Sequence, residues 1–224
     1  GSPGYRILVM PRLAYGVCVG SWDKFNQYVV PHTQDRQVFG ISGQTSIAWA
    51  YNKILEAVRW HRGTVSGLVL QHDDLEITDP EVEAKLCAAF ESGAGIAGVA
   101  GGMHRGDIAW WAHEPIGHVR YDSGQMIDFG AHSGPVDLLD GCLLAFSPWA
   151  IETLVFNENY EGFHGYDADI SQRAADSGMP VTVVDIDVWH HTKLGFKTQQ
   201  SQADWLAANE IFRMGQLDTD ACPL

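Results

Sequence analysis

The first clear pattern along the chain is the apolar run "YGVCVG" at 15–20, continuous enough for a strand buried on both faces. Residues 22–29 suit a short helix, and "QVFGIS" at 37–42 suits a second strand. In "TSIAWAYNKILEAVRWH", Ile47, Tyr51, Ile54, Leu55 and Val58 fall at the spacing of one helical face, with Thr45 or Ser46 available as N-cap. A third strand, "VSGLVLQ" at 65–71, runs straight into the polar "HDD". Asp79-Pro80-Glu81 opens the next helix, with proline at its first position and acids at its positive end. "AGIAGVAG" at 94–101 predicts a further strand. This alternation of strand and helix predicts an α/β domain, its sheet mainly parallel in the N-terminal half and flanked by helices.

Beyond residue 105 the pattern changes. "DIAWWAH" (107–113), "GHVRY" (117–121) and "CLLAFS" (142–147) read as short strands between glycine-rich turns, a mixed or antiparallel extension. A helix over about 167–177 ends at Gly178 as C-cap, "PVTVVDIDVW" (180–189) forms a strand, and "SQADWLAANEIFRM" (201–214) a last helix. No repeat or low-complexity linker divides the 224 residues. The chain therefore reads as one domain over 1–224, with an irregular start (1–13, opening on a Gly-Ser-Pro that resembles an expression scar) and a helix and tail from 196.

Charge narrows the partners. Lys+Arg 14 against Asp+Glu 28 gives a net charge of −14. A surface of that sign repels polyanions, so no stable nucleic-acid partner is expected. Small anions remain possible where a cation receives them. A hydrophobic content of 46% with 19% charged residues predicts a compact globule, and 24 glycines predict tight turns and close backbone approaches. Cys18, Cys87, Cys142 and Cys222 form no CxxC pair and read as free thiols of a reducing compartment. No apolar run approaches the ~20 residues of a membrane span. The expectation is a cytoplasmic protein without a transmembrane segment.

Three constellations carry candidate chemistry. In "LVLQHDDLEI" a buried strand delivers His72, Asp73 and Asp74 to its carboxyl end, where ligands of open α/β sheets gather. Acids there suit a hard divalent cation, Mn²⁺ or Mg²⁺; the plainer alternative is a solvated turn. In "NENYEGFHGYDADISQRAADSG", Asp167 and Asp169 stand at a helix start, a position that suits a base and equally a cap. In "DIDVWHHT" a strand ends in His190 and His191, metal-ligand candidates or surface decoration.

Taken in order, strand–HDD, "DLLDGCLLAFS", "FHGYDADIS" and "VWHHT" resemble the motifs of GT-A glycosyltransferases, particularly the bacterial family 2-like enzymes, over roughly residues 14–195. The early helix "SIAWAYNKILEAV", with Asn52, also looks like that family's. The resemblance implies a GT-A-like fold in which Asp74 and Asp73 play the DXD role on a cation, with His190 or His191 completing the metal site. It implies that Asp167, or else Asp169, is the catalytic base. It places Gly20, Ser21, Asn52, Asp73, Asp140, Gly141 and Lys193 around a nucleotide-sugar donor linked to UDP, GDP or dTDP. The sequence departs from the family at Tyr166-Asp167, where a Glu-Asp pair is usual, and at Gly20-Ser21-Trp22, where early uridine-binding aspartates are usual. A QxxRW motif is absent, which argues against a processive synthase.

The function expected is transfer of one sugar to a hydroxyl of a sugar, lipid-linked or small-molecule acceptor, with inversion. Trp110, Trp111, Trp149 and Tyr160 are candidates for stacking on sugars, with core packing as their alternative. The "VWHHTKLGF" stretch is expected to fold over donor or simply to link the last strand to the last helix. The rival classes are a metal-dependent phosphoesterase, disfavoured by missing DxH and GNH signatures, and a carbohydrate-binding module, which has no need of the HDD and HisHis motifs together.

Overall fold

The computed structural model describes residues 13–60, 65–122, 124–193 and 198–220, with side chains to 216. Residues 1–12, 194–197 and Cys222 lie outside them, and with them most of the irregular start and the end of the stretch expected to cover donor.

Alternation of apolar side chains builds the centre. A seven-stranded sheet runs β2 (Gln37–Ser42), β1 (Leu13–Val19), β3 (Gly67–His72), β11 (Leu143–Phe146), β5 (Ile96–Gly98), β12 (Val181–Val183), β9 (Gly134–Pro135). Leu68 and Leu70 of β3 face one apolar layer, and Val69 between them faces the other. The first layer is closed by α2 (Ile47–Trp60), α4 (Pro148–Thr153) and α5 (Tyr166–Asp176). The second is closed by α3 (Val82–Glu91) and α6 (Gln199–Asp220). The expected periodicity of α2 is the buried face observed, and Ser46 is its cap, its Oγ accepting from Trp49 N–H at 3.3 Å. Residues 22–29 are helical as α1 (Trp22–Lys24) and a π-helical turn, Phe25–Val29.

The β1–β2, β1–β3 and β5–β12 pairs are parallel. Strand β11 is inserted antiparallel between β3 and β5. A second sheet runs β10 (Leu138–Leu139), β6 (Ala100–Gly102), β7 (Pro115–Tyr121), β13 (Val188–His190), β4 (Leu75–Ile77), with β8 (Met126–Asp128) paired to β7.

Four local expectations are corrected. The run 94–101 is two strands, β5 and β6, because the chain changes sheets at Val99: Gly98 O accepts from Val184 N–H in one direction, Val99 O from His118 N–H in the other. Likewise 180–189 is split into β12 and β13 by an irregular 184–187 link. Residues 107–113 are no strand. Asp107 Oδ1 accepts from Ala109 N–H at 2.8 Å, and a 3₁₀ turn at Trp110–Ala112 drives Trp110 into the second layer. Finally, α3 is assigned only from Val82, with Pro80 and Glu81 in the preceding turn held by Asp79 Oδ1.

Candidate active site

The HDD turn is not a free loop. Strand β3 ends at His72, the chain turns through Asp73 and Asp74, and β4 begins at once in the other sheet. Strand β4 pairs antiparallel with β13, Leu75 opposite His190, and His191 N–H donates to Asp74 O at 2.8 Å. This register carries the end of "VWHH" onto the HDD turn. His190 Nε2 comes to 3.1 Å from Asp74 Oδ1 and 3.4 Å from His72 Nδ1, so one carboxylate and two imidazoles converge.

Hydrogen bonding fixes the tautomer of His72. The Tyr166 hydroxyl has one hydrogen, which it donates to Gly141 O at 2.9 Å. Toward His72 Nε2, 2.9 Å away, that oxygen can only accept, so Nε2 carries the proton. The Nδ1 lone pair of the neutral ring then faces the cluster. Such anchoring of the far ring nitrogen is the usual support of a metal-binding histidine. Burial opposes the charge on Asp74, but His190, His72 and Lys24 outweigh it and hold the carboxyl well below the usual range. Lys24 Nζ sits 2.9 Å from Asp74 Oδ2, the oxygen turned away from His190. Neighbouring donor atoms about 2.0–2.2 Å from one ion stand ~2.9–3.5 Å apart, and the observed separations fit that range.

The other predicted residues divide. Asp73 turns from the cluster: its Oδ2 accepts from the amides of Gly20 (2.8 Å) and Ser21 (2.6 Å), tying the HDD turn to the loop after β1. Burial and the charge of Asp74 push the Asp73 carboxyl up against those two amides. His191 lies outside the cluster, stacked on Tyr28 at 3.8 Å with Nε2 2.9 Å from Glu76. Adjacent strand residues point to opposite faces, so His190 and His191 cannot both reach one ion.

Asp167 is the second residue of α5 and accepts from Gly141 N–H at 2.9 Å. Burial, then the charge of Asp140, pushes its carboxyl up to about 7. Asp140 Oδ1 itself accepts from Cys142 N–H. Gly141 is confined: a Cβ there would lie 2.2 Å from the Tyr166 hydroxyl and 3.0 Å from Asp167 Cβ. Asp169 faces elsewhere, paired with Arg173 at 2.5 Å beside a hollow between α5 and α6. Asn52 clamps the 156–158 segment to α2, through Phe156 N–H, Phe156 O and Glu158.

The cluster opens into a cleft of about 480 Å³. Cys18, Gly20, Asp73 and Lys193 line it from the sheet side, and Phe163, His164, Ser201 and Asp204 face them. Asp140, Gly141 and Asp167 lie behind this lining, joined to it through Tyr166 and His72. Trp110 and Tyr160 are core residues, whereas Trp111 is exposed beside Trp205. Sequence reasoning saw His72 within HDD but assigned the metal to Asp73, Asp74 and His190 or His191, leaving His72 out. It missed Tyr166, one position from the chosen base, and Lys24, for which the sequence carries no signal.

Comparison with known proteins follows the same line. A family model described as "Glycosyltransferase like family" matches residues 12–212. Streptomycin biosynthesis protein StrF of Streptomyces griseus is 29% identical over 187 residues, 80% of this chain; the chain spans 66% of StrF's length. Among solved structures, A197 from STIV superposes with a TM-score of 0.56 at 13% identity, covering 82% of this chain and 87% of that one. GalNAc-T7 with UDP, GalNAc and Mn²⁺ superposes at 0.58 with 8% identity, covering 95% of this chain and 52% of that one. At such identities the likeness is one of fold. Among the described residues, no helix is long and apolar enough to cross a membrane.

Proposed function

The chain belongs to the glycosyltransferase-like family and has a GT-A-like fold, and from that premise we propose that it transfers one sugar from a nucleoside-diphosphate donor to an acceptor hydroxyl, with inversion. The observation that carries this reading is the convergence of His72, Asp74 and His190 at the ends of β3 and β13, inside the cleft. These three would hold a divalent cation, Mn²⁺ or Mg²⁺. When bound, such an ion supplies positive charge opposite a departing diphosphate. The bound Mn²⁺ and UDP named for GalNAc-T7 support the same assignment here. UDP, GDP and dTDP donors all remain within the proposal.

The chain's own groups supply the rest. Asp73 braces the loop at Gly20 and Ser21, which edges the cleft. Because their amides already donate to Asp73, nucleotide contacts at this edge fall to other atoms. Lys193, exposed on the rim, is placed to meet diphosphate charge. Asp167 is the proposed base, as the family resemblance implies: burial and Asp140 raise its carboxyl to about 7, in the range of a general base. From its place behind the lining it would reach the acceptor through a group or water in the cleft.

Calorimetric titration with UDP, GDP and dTDP, each with and without Mn²⁺, tests the reading. At least one nucleotide should bind only with the cation, and Asp74→Ala should abolish that binding. Undiminished, still cation-dependent binding by Asp74→Ala would remove the HDD turn from the site. A phosphoesterase would instead release phosphate from simple monoesters, and a carbohydrate-binding module would bind free sugar without nucleotide.

A further inference from the structure

A second constellation lies on the other sheet, away from the cleft. His118, in the middle of β7, is almost fully buried, with its side chain 6% exposed. Its Nε2 lies 3.2 Å from Asp187 Oδ1, while its Nδ1 is buried without a hydrogen bond. That Nδ1 is aimed at Asp185 Oδ1, 3.7 Å away. His132 approaches the same oxygen: its Nδ1 is 3.6 Å from Asp185 Oδ1, and its Nε2 is 3.2 Å from Asp128 Oδ1. The two rings lie 4.4 Å apart between centroids.

A carboxylate oxygen can only accept, so each Nε2 holds its proton toward an aspartate. The neutral rings then turn both Nδ1 lone pairs toward Asp185. Two lone pairs and a carboxylate facing one another repel unless a positive charge stands between them, a proton on one ring or a metal ion. The 3.7 and 3.6 Å gaps are long for an N–H···O hydrogen bond. Ligands about 2.0–2.1 Å from a tetrahedral zinc stand ~3.3–3.4 Å apart, within a few tenths of an ångström of the separations here. The outer partners are also in place, since Asp187 and Asp128 behind the two rings form the carboxylate–histidine arrangement that orients ligating imidazoles. With nitrogen ligands and a single carboxylate, the set selects a zinc-like ion over magnesium or calcium.

The geometry points to a second, transition-metal site of the Zn²⁺ class, held by His118 Nδ1, His132 Nδ1 and Asp185 Oδ1. Its fourth position is open to solvent on the side where His132 and Asp185 are exposed. The ion clips three segments that share no strand: β7, the stretch after β8, and the 184–187 link that leads into β13. This site is independent of the sugar-transfer reading. A third group, His104, Asp107 and His113, differs in having its two rings stacked at 3.6 Å and no orphaned buried nitrogen.

The test is titration of the metal-free protein with Co²⁺, followed by its visible absorption, with Zn²⁺ as competitor. One equivalent of Co²⁺ should give the intense bands of a low-coordinate site, and Zn²⁺ should erase them. Those bands should survive His190→Ala and His113→Gln, which disable the other two clusters. His132→Gln and Asp185→Asn, both at exposed positions that tolerate exchange, should each weaken Co²⁺ binding at least tenfold. Bands unchanged in both variants, or no low-coordinate Co²⁺ in the parent protein, would overturn the site.

Discussion

At the scale of single residues, the site rests on where one hydrogen points. Tyr166 gives its hydroxyl hydrogen to Gly141 O, which compels His72 to present a bare Nδ1 to the cation position. Tyr166→Phe removes that anchor while keeping the ring in its core. Mn²⁺ affinity should fall by about 10–100-fold, the usual cost of losing such a partner; unchanged affinity would mean that His72 is not a ligand. Asp167→Asn retains shape but cannot take a proton, so transfer should fall about 10²–10⁴-fold with nucleotide binding preserved. Loss in Asp204→Asn instead would move the base onto α6, whose Asp204 lines the cleft. The raised Asp167 carboxyl also sets a pH signature. Its folded value of about 7 exceeds the ~3.9 of an unfolded aspartate. The native state therefore holds a proton between these values that the unfolded chain has released. The resulting stability is complete below about pH 4 and is lost as pH rises through about 7, while kcat/KM rises over the same upper range. A kcat/KM flat across pH 6–8 would contradict the base assignment.

At the scale of elements, the motif names were legible, but the partners were not. Helix α2 and the α5 boundary at Gly178 follow from periodicity and a left-handed terminal glycine (φ +78°), both local signals. The register that brings His190 to Asp74 depends on β4, three residues hidden inside "HDDLEI", and on a pairing between residues over a hundred positions apart. No local pattern encodes that. The two runs that broke into pairs of strands, 94–101 and 180–189, look continuous because each half is apolar; only the neighbouring sheets decide where the chain crosses over. Asn52 shows the opposite case. Its place in a familiar helix suggested nucleotide contact, yet its amide is spent on Phe156 and Glu158. Asn52→Ala should cost about 1–3 kcal/mol by orphaning a backbone amide and carbonyl, read as a lowered Tm, with nucleotide affinity unchanged. Strong loss of nucleotide affinity at full stability would return Asn52 to the donor site.

At the scale of the whole molecule, the proposed donor would bring a doubly charged diphosphate to a chain of net charge −14. Lys24 already serves Asp74, which leaves Lys193 as the cation on the described rim. A bound divalent ion would resolve this conflict by reversing the local sign without altering the acidic surface. That logic was present in the composition; which nitrogen and oxygen atoms would hold the proposed ion became visible only with the two sheets in register. The central claim is therefore that one ion is shared between His72, Asp74, His190 and the donor's diphosphate. Pulsed EPR of protein-bound Mn²⁺ tests it most directly, since ¹⁴N and ³¹P couplings report the atoms that touch the metal. Two imidazole couplings should appear in the parent protein, one should vanish in His190→Ala, and ³¹P coupling should arise when the matching nucleoside diphosphate is added. Mn²⁺ showing ³¹P but no ¹⁴N coupling, or ¹⁴N couplings untouched by His190→Ala, would contradict the account.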